Sequence, residues 1–157
     1  MSEKSVVRKS TESDAYWFLG GLYEVLLSSD ETNGAATITQ FTIPVGMGPP
    51  PHSHECDESV YVVEGTLTYH VGGELIEAGP GTVSYFPKGT LETFEPTTTI
   101  KVISTYTPGG IDKFFAEAGE RAPKREIPPA PTSQPDFERL AQVAAKYGLH
   151  IQPPPGS

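Results

Sequence analysis

Residues 46–58 read Gly46-Met-Gly-Pro-Pro-Pro-His52-Ser-His54-Glu-Cys-Asp-Glu58, the most informative stretch of the chain. Alternate side chains of an extended segment point the same way, so His52 and His54 share one face. Glu58, four positions later, can come round to the same pocket. The glycines and prolines favour the extended conformation, because proline fixes φ and disfavours helix at the residue ahead of it. Two imidazoles and a carboxylate that converge from one segment form a coordination sphere for a divalent metal.

The size and charge of the chain limit what it can be. Its 157 residues suffice for one domain with a hydrophobic core and leave little room for a second. The net charge of -9 disfavours nucleic acid or an anionic membrane as partner, since either would need a basic face. The opening residues lack an apolar signal core, and no apolar run approaches the ~18 residues of a membrane span. We therefore expect a cytoplasmic protein that binds neither nucleic acid nor membrane.

Short apolar segments, separated by glycine and proline, follow one another through the first two thirds of the chain. Segments 16–28 and 35–45 are rich in aromatic and β-branched residues, and Asn33-Gly34 between them is a strong turn signal. Further strands are predicted at 59–64, 66–71, 74–78, 82–86, 91–95 and 98–105. Strands of this length and spacing predict an antiparallel sandwich or barrel.

The pattern changes after residue 110. Residues 111–118 predict a short helix ended by Gly119, and five prolines in residues 122–135 predict a linker or a strap on the surface. A second helix is predicted by the capping-box spacing of Ser133 and Asp136 and by an apolar stripe. The stripe comprises Phe137, Leu140, Ala141, Ala144 and Tyr147, and Gly148 suits the C-terminal cap.

These patterns divide the chain into three parts. Residues 1–14 are predicted to be a flexible arm, because they are polar and carry no strand or helix pattern. Residues 15–110 form the barrel. Residues 111–157 contain the helices and the proline-rich linker, which we expect to pack on the barrel.

The chain resembles the cupin superfamily in two motifs. The first, G-x5-H-x-H-x3–4-E-x6-G, is matched throughout by Gly46, His52, His54, Glu58 and Gly65. The second, G-x5-P-x-G-x2-H-x3-N, is matched in part by Gly81, Pro87 and Gly89, with Glu92 in place of the histidine and Pro96 in place of the asparagine. Over its full length the chain looks like small bacterial cupins often labelled quercetin 2,3-dioxygenase-like.

This resemblance implies a fold and an assembly. Cupins are all-β proteins built on a jelly-roll barrel, also called a double-stranded β-helix, and here short C-terminal helices would follow it. Small cupins commonly associate through N-terminal strands and sheet faces, so the resemblance also implies a homodimer. It does not name the reaction, because one fold supports many activities.

The resemblance implies that His52, His54 and Glu58 bind a metal, and that Glu92 occupies the position of the fourth ligand. Glu92 either binds the ion directly, or lies off it as a base or water-orienting group, or marks a site that has lost its metal. We favour a bound metal, because another potential ligand replaces the histidine. Two imidazoles and two carboxylates slightly favour Fe(II) or Mn(II) and leave Zn(II), Ni(II) and Co(II) open. We expect one such ion per chain.

Strand alternation indicates the walls of the cavity beside this metal. Val60 and Val62 share a face with Glu58, and Thr90 and Phe94 share a face with Glu92. We expect these four side chains to line the cavity together with two from the preceding strand, Phe41 and Ile43. An apolar, aromatic cavity with a metal at its base suits a small aromatic or polyketide-like substrate.

Three other residues have ligand chemistry but not ligand spacing. Cys56, the only cysteine and therefore unable to form an intramolecular disulfide, falls in the bend between the motif residues. His70 lies in an outer hairpin strand and His150 in the C-terminal tail. We interpret all three as packing or surface residues.

Three functional hypotheses follow. The first is a metal-dependent, quercetinase-like dioxygenase, in which Glu58 or Glu92 takes a proton from an enol or phenol before O₂ reacts. The second is a non-redox cyclase, isomerase or dehydratase of specialised metabolism, in which the metal is a Lewis acid and Glu92 shuttles a proton. The third is a small-molecule-binding cupin without turnover.

Overall fold

The fold of the protein is described by a computed structural model that covers residues 4–152. In chain order its elements are a 3-10 turn (Ser10–Glu12), β1 (Asp14–Phe18), β2 (Gly21–Leu27), β3 (Thr37–Ile43), β4 (His52–His54), β5 (Asp57–Glu64), β6 (Leu67–Val71), β7 (Glu74–Ala78), β8 (Val83–Phe86), β9 (Glu92–Pro96), β10 (Ile100–Thr107), α1 (Ile111–Ala118), β11 (Glu120–Arg121), α2 (Phe137–Lys146) and β12 (Leu149–Ile151). No helix among these residues has the length and apolar character needed to cross a bilayer.

Two antiparallel sheets face each other around one core. The larger has the strand order β11-β1-β2-β3-β10-β5-β8, and the smaller has the order β12-β4-β9-β6-β7. The central strands β3 and β10 alternate buried and half-buried residues along their length, as the inner and outer faces of a barrel wall require. The all-β fold with short C-terminal helices is confirmed.

Helix α1 closes one end of the barrel. It begins at Ile111 and ends at Gly119, as predicted, and its Phe114 and Phe115 are buried in the core. The buried carboxylate of Asp112 accepts hydrogen bonds from the backbone N–H of Ser29 (3.2 Å) and the hydroxyl of Thr37 (2.6 Å). The helix is therefore fixed to the loop before β3 and to the start of that strand.

The first apolar segment needs a correction. Residues 16–28 are not one continuous stretch, because a turn at Leu19 and Gly20 divides them into the hairpin strands β1 and β2. Both turn residues have positive φ, which the apolar pattern around them did not indicate. The two strands pair from Asp14 with Val25 to Phe18 with Gly21.

The proline-rich segment crosses the outer face of this hairpin. The guanidinium of Arg125 pairs with Glu24 of β2 at 2.8 Å, and the indole N–H of Trp17 on β1 donates to the carbonyl of Glu126 at 2.9 Å. These contacts explain why β2 is buried on both faces in its first five residues. The segment is a strap on the barrel, one of the two forms predicted.

Helix α2 begins later than its predicted capping box. The cap is Asp136, whose carboxylate accepts from the N–H of Arg139 at 3.1 Å, and the prediction that Ser133 caps the helix is wrong. Ser133 and Asp136 have the spacing of a box, but the helix starts only at Phe137. After the helix, Gly148 adopts a φ of +75° and leads directly into β12.

Strand β12 was not predicted, and it pairs with the strand that carries the two histidines. Leu149 lies opposite His54 and Ile151 lies opposite His52. Two further backbone bonds flank this ladder, from Glu55 N–H to the carbonyl of Gly148 (2.8 Å) and from Gln152 N–H to the carbonyl of Pro51 (2.9 Å). The C-terminal segment therefore fixes the histidine strand along its whole length.

The three-part division of the chain stays a prediction. Residues 1–3 and 153–157 lie outside the described residues. Within the predicted arm, Arg8 pairs with Glu31 at 2.6 Å and donates to the carbonyl of Leu26 at 2.7 Å, which ties it to the end of β2 and the loop that follows.

The two motif glycines at Gly65 and Gly81 allow a matched test of the fold. Both have positive φ, +80° and +87°, so alanine at either position costs about 1–2 kcal/mol of stability. A Cβ at Gly65 would also lie 2.1 Å from the backbone carbonyl oxygen of Thr99, whereas a Cβ at Gly81 would meet nothing within 4 Å. We expect Gly65→Ala to lower the free energy of unfolding by about 3 kcal/mol or more. Gly81→Ala should lower it by only about 1–2 kcal/mol. Urea denaturation measures both free energies of unfolding, and equal losses in the two variants would contradict the close approach at Gly65.

Candidate metal centre

Three strands bring four buried polar side chains to one point inside the barrel. His52 and His54 lie on β4, Glu58 on β5 and Glu92 on β9, and each is no more than 8% exposed. His52 and Glu92 are direct partners in the register of β4 and β9. Glu58 reaches the site from the opposite sheet, so the centre joins the two sheets of the barrel.

His52, His54 and Glu92 form a compact set. Each offers a ligand atom that lies within 4.8 Å of the others, a spacing that a single ion could bridge. The shortest approach between Glu92 and an imidazole is 3.5 Å, from its Oε1 to Nε2 of His52. Glu92, which replaces the family histidine, therefore lies with the two histidines.

Glu58 lies beside this set rather than within it. Its Oε1 is 3.8 Å from Nε2 of His54, but it does not meet the mutual spacing of the other three residues. Its carboxyl group is close enough to that of Glu92 for the charge of Glu92 to raise the pKa of Glu58. The two carboxyl groups are thus neighbours at the centre.

The centre contains most of the buried side-chain atoms that lack a hydrogen-bond partner. Among residues 4–152 these are Nε2 of His54, Oε1 of Glu58, Oε2 of Glu92, the hydroxyl of Tyr69 and Nε of Arg8. Buried polar atoms without partners are rare in folded proteins, and three of these five converge here. Two imidazoles and two carboxylates with unused lone pairs fit a divalent metal ion.

The orientation of His52 suits a ligand. Its Nδ1 lies 2.9 Å from the carbonyl oxygen of Pro50, an acceptor, so Nδ1 carries the proton and donates it there. Nε2 is then left with its lone pair directed at Glu92 and the centre. Metal-binding histidines are commonly fixed by a backbone carbonyl in this way.

Burial shifts the pKa values of the ionisable side chains at the centre. It lowers the pKa of His54 to about 3, with a further contribution from His52, so His54 is neutral. Burial, and then the charge of Glu92, raises the pKa of Glu58 well above its usual range. Burial also raises the pKa of Glu92. Neutral histidines bind metal directly, whereas a carboxyl group must first lose its proton.

Tyr106 is a member of the site that the sequence analysis missed. It lies opposite Glu58 in the register of β5 and β10, and its phenol is close enough to the carboxyl group of Glu58 for the two to affect each other's pKa. Burial and this neighbour raise the pKa of Tyr106 well above its usual range, so the phenol remains a donor. Its alternation with the buried Ser104 and Val102 was the signal in the sequence that could have identified it.

A cavity of about 70 Å³ opens beside the centre, enough for several water molecules. Phe41, Val60 and Phe94 line it, as predicted from strand alternation. Its other walls are mostly apolar and come from β1, β2, α1 and β12. They include Phe18, Tyr23, Phe114, Phe115, Leu149 and Ile151.

Three residues predicted to line this cavity do not. Ile43 and Val62 are fully buried in the core, because alternation predicts the inner face but not the position along the barrel axis. Thr90 precedes β9 in a turn, where its hydroxyl donates to the carbonyl of Pro87 at 2.7 Å. The alternation of β9 does not extend back to Thr90, since the strand begins at Glu92.

The remaining candidates lie away from the centre or show no ligand geometry. Cys56 is half-buried against the core, and burial raises the pKa of its thiol to about 11. His70 is partly exposed and His150 is exposed, and they pair with the surface carboxylates of Glu95 (3.9 Å) and Glu55 (3.5 Å). None of the three lines the cavity.

Comparison with known proteins finds similar proteins. The family model described as "Cupin domain" matches residues 39–106, which extend from the third residue of β3 to the last but one of β10. Quercetin 2,3-dioxygenase of Bacillus subtilis is 24% identical over 150 residues, which are 94% of this chain. The chain spans 44% of the length of that relative. Residues 39–106 of this chain therefore match a cupin domain, in agreement with the resemblance of its motifs.

Solved structures share the fold at low sequence identity. The polyketide cyclase RemF of Streptomyces resistomycificus has a TM-score of 0.60 at 20% identity, over 87% of this chain and 99% of its own. Pac13, a nucleoside dehydratase, has a TM-score of 0.59 at 17% identity, over 80% of this chain and 95% of its own. At such identities the likeness shows the fold alone.

The position of Glu92 predicts unequal effects of removing the two carboxylates. We expect Glu92→Gln to lower the affinity for a divalent metal by 10-fold or more, since it removes a group that lies with both imidazoles. Glu58→Gln should lower it less, and His70→Ala is the matched control that should leave it unchanged. Metal content after dialysis, measured by mass spectrometry, checks this order. A larger loss in Glu58→Gln would contradict the role assigned to Glu92.

The raised pKa of Glu58 predicts how the stability of the protein without metal depends on pH. Folded Glu58 keeps a proton that the unfolded chain releases above about pH 4.5, so stability falls as pH rises beyond that value. His54 acts in the opposite direction, but only between its unfolded value near 6.5 and its folded pKa of about 3. Above pH 6.5, of these two groups, only Glu58 still makes stability depend on pH. We therefore expect Tm to fall from pH 6.5 to 8. The free energy of unfolding should fall by at most about 1.4 kcal/mol per pH unit for one proton.

The variant Glu58→Gln isolates this effect, because its amide is close in shape to the acid and cannot titrate. Its Tm should depend less on pH than that of the wild type over the same range. Thermal unfolding in the presence of a chelator measures both proteins. Parallel pH profiles would show that Glu58 does not hold the proton.

Proposed function

We propose that the protein is a metal-dependent enzyme that removes a proton from a small aromatic or polyketide-like substrate, and that it works as a quercetinase-like dioxygenase. The observation that carries this proposal is the pair of buried carboxyl groups, Glu58 and Glu92, at one metal centre beside an aromatic cavity. The dioxygenase relative supports the oxygenase assignment, within the limits of its 24% identity.

The residues have separate roles in this proposal. His52, His54 and Glu92 hold the metal, and the Pro50 carbonyl fixes the ring of His52. When bound, the ion acts as a Lewis acid toward a substrate oxygen, and a redox-active ion also permits oxygen chemistry. Its identity stays open among Fe, Mn, Zn, Ni and Co.

Glu58 is the proposed general base. Burial raises its pKa, and a carboxylate with a raised pKa accepts a substrate proton more readily than an ordinary one. Tyr106, its partner in the strand register, places a phenol beside this carboxyl group. The buried apolar walls limit the access of water to this group, which maintains its high proton affinity.

A second candidate is a non-redox cyclase, isomerase or dehydratase. The replacement of the family histidine by Glu92 favours it, because the site then holds two groups that can exchange a proton. One carboxylate could remove a proton from the substrate and the other return it elsewhere. The polyketide cyclase and the nucleoside dehydratase show that the same fold accommodates such enzymes.

Oxygen dependence distinguishes the two candidates. Flavonols and catechols are incubated with metal-loaded protein in an oxygen electrode and, in parallel, under nitrogen. The dioxygenase predicts O₂ uptake in step with substrate loss, and 100-fold or more less turnover in Glu58→Gln at an unchanged metal content. Equal product formation under nitrogen would contradict the oxygenase and support the second candidate.

The third hypothesis is a binding protein without turnover, and metal analysis separates it from both enzymes. Purified protein that takes up no stoichiometric metal would contradict both enzymatic proposals. The homodimer, the small-molecule substrate and the cytoplasmic location stay proposals drawn from the resemblance and the composition. Sedimentation of the purified protein tests the dimer.

A further inference from the structure

The hydroxyl of Tyr69 is a buried polar group without a hydrogen-bond partner in the described part of the chain. The residue is 5% exposed and lies on β6, outside both cupin motifs. Its ring makes edge contacts with Phe86 and Phe94, with centroids 5.3 Å and 6.2 Å away. These contacts hold the ring in place.

Tyr69 lines the same cavity as the metal centre. Its phenol is close enough to Glu58 and Glu92 for their charges to affect it, and burial raises its pKa to about 12. It is therefore protonated at neutral pH and available as a donor. A buried donor without a partner lowers stability, and such groups are expected where a ligand supplies the missing acceptor.

The rest of the cavity indicates the shape of that ligand. Aromatic rings form a continuous wall, with centroid distances of 4.4 Å between Tyr23 and Phe41 and 5.5 Å between Phe41 and Phe115. Such a wall favours a planar aromatic molecule. Within it, polar atoms that lack partners occur at the metal centre and at Tyr69.

We propose that Tyr69 donates a hydrogen bond to an oxygen of the bound substrate and so selects aromatic molecules with two oxygen substituents. One oxygen would lie at the metal centre and the other at the phenol of Tyr69. This assignment rests on the proposed function, because it requires an occupied metal centre in the same cavity.

The hydroxyl of Ser84 on β8 offers an alternative partner within the protein. It is near enough to affect the pKa of Tyr69, although the two hydroxyls do not form a hydrogen bond in this structure. Thermal unfolding of Tyr69→Phe distinguishes the two arrangements. A free hydroxyl predicts an unchanged or higher Tm, since the substitution removes an unsatisfied group. A lower Tm that Ser84→Ala reproduces, with no further loss in the double variant, would show a structural hydrogen bond and overturn the proposal.

Ligand binding tests the selectivity directly. Catechol and phenol are titrated into metal-loaded wild type, Tyr69→Phe and the control Tyr85→Phe, whose side chain is 62% exposed, by calorimetry. We expect Tyr69→Phe to bind catechol about tenfold more weakly and phenol equally well. Tyr85→Phe should match the wild type for both compounds.

Each outcome of this titration has a definite meaning. If Tyr69→Phe binds both compounds as the wild type does, or if neither compound binds to metal-loaded protein, the proposal is overturned. Metal stoichiometry is measured first on the same samples. A wild type without metal contradicts the proposed function, whereas a normal metal content with unchanged catechol affinity contradicts only the role of Tyr69.

Discussion

The burial of two carboxyl groups next to two imidazoles is the constraint on which the rest of the site depends. Isolated buried charges are costly, so burial raises the pKa of Glu58 and of Glu92 and keeps His54 neutral. A divalent ion can replace a carboxyl proton and use the lone pairs that lack partners. The surrounding architecture supports this arrangement: β12 fixes the histidine strand, the backbone at Pro50 orients His52, and α1 closes the end of the barrel.

The sequence predicted the parts of this protein that depend on local patterns. Alternation and turn residues indicated the strands of the barrel, and the 3.6-residue period indicated α2. Local patterns could not show that β12 pairs with β4, because a three-residue strand carries almost no periodic signal. They also missed Tyr106, whose role arises from its register opposite Glu58, a contact between strands more than 40 residues apart. The prediction that Thr90 lines the cavity is wrong because a turn interrupts the alternation of side chains just before Glu92.

Glu92 replaces the histidine of the cupin motif, so the activity of a quercetinase does not transfer to this chain by resemblance alone. In the proposed mechanism Glu92 holds the metal with the two histidines, and Glu58 beside it is available for acid–base chemistry. The candidate metal site and the two carboxyl groups line the same mostly apolar cavity. Oxygenases and non-redox enzymes can both use this combination, and so the reaction must be decided by experiment rather than by the fold.

The central claim is that one metal ion binds between β4 and β9. Its most direct test is a crystal structure of metal-loaded protein, with diffraction recorded on both sides of the absorption edge of the metal. The account predicts a single anomalous peak at bonding distance, about 2.0–2.2 Å, from Nε2 of His52, Nε2 of His54 and one oxygen of Glu92. A site with no anomalous peak, or an ion bound with Glu92 turned away from it, would contradict the account.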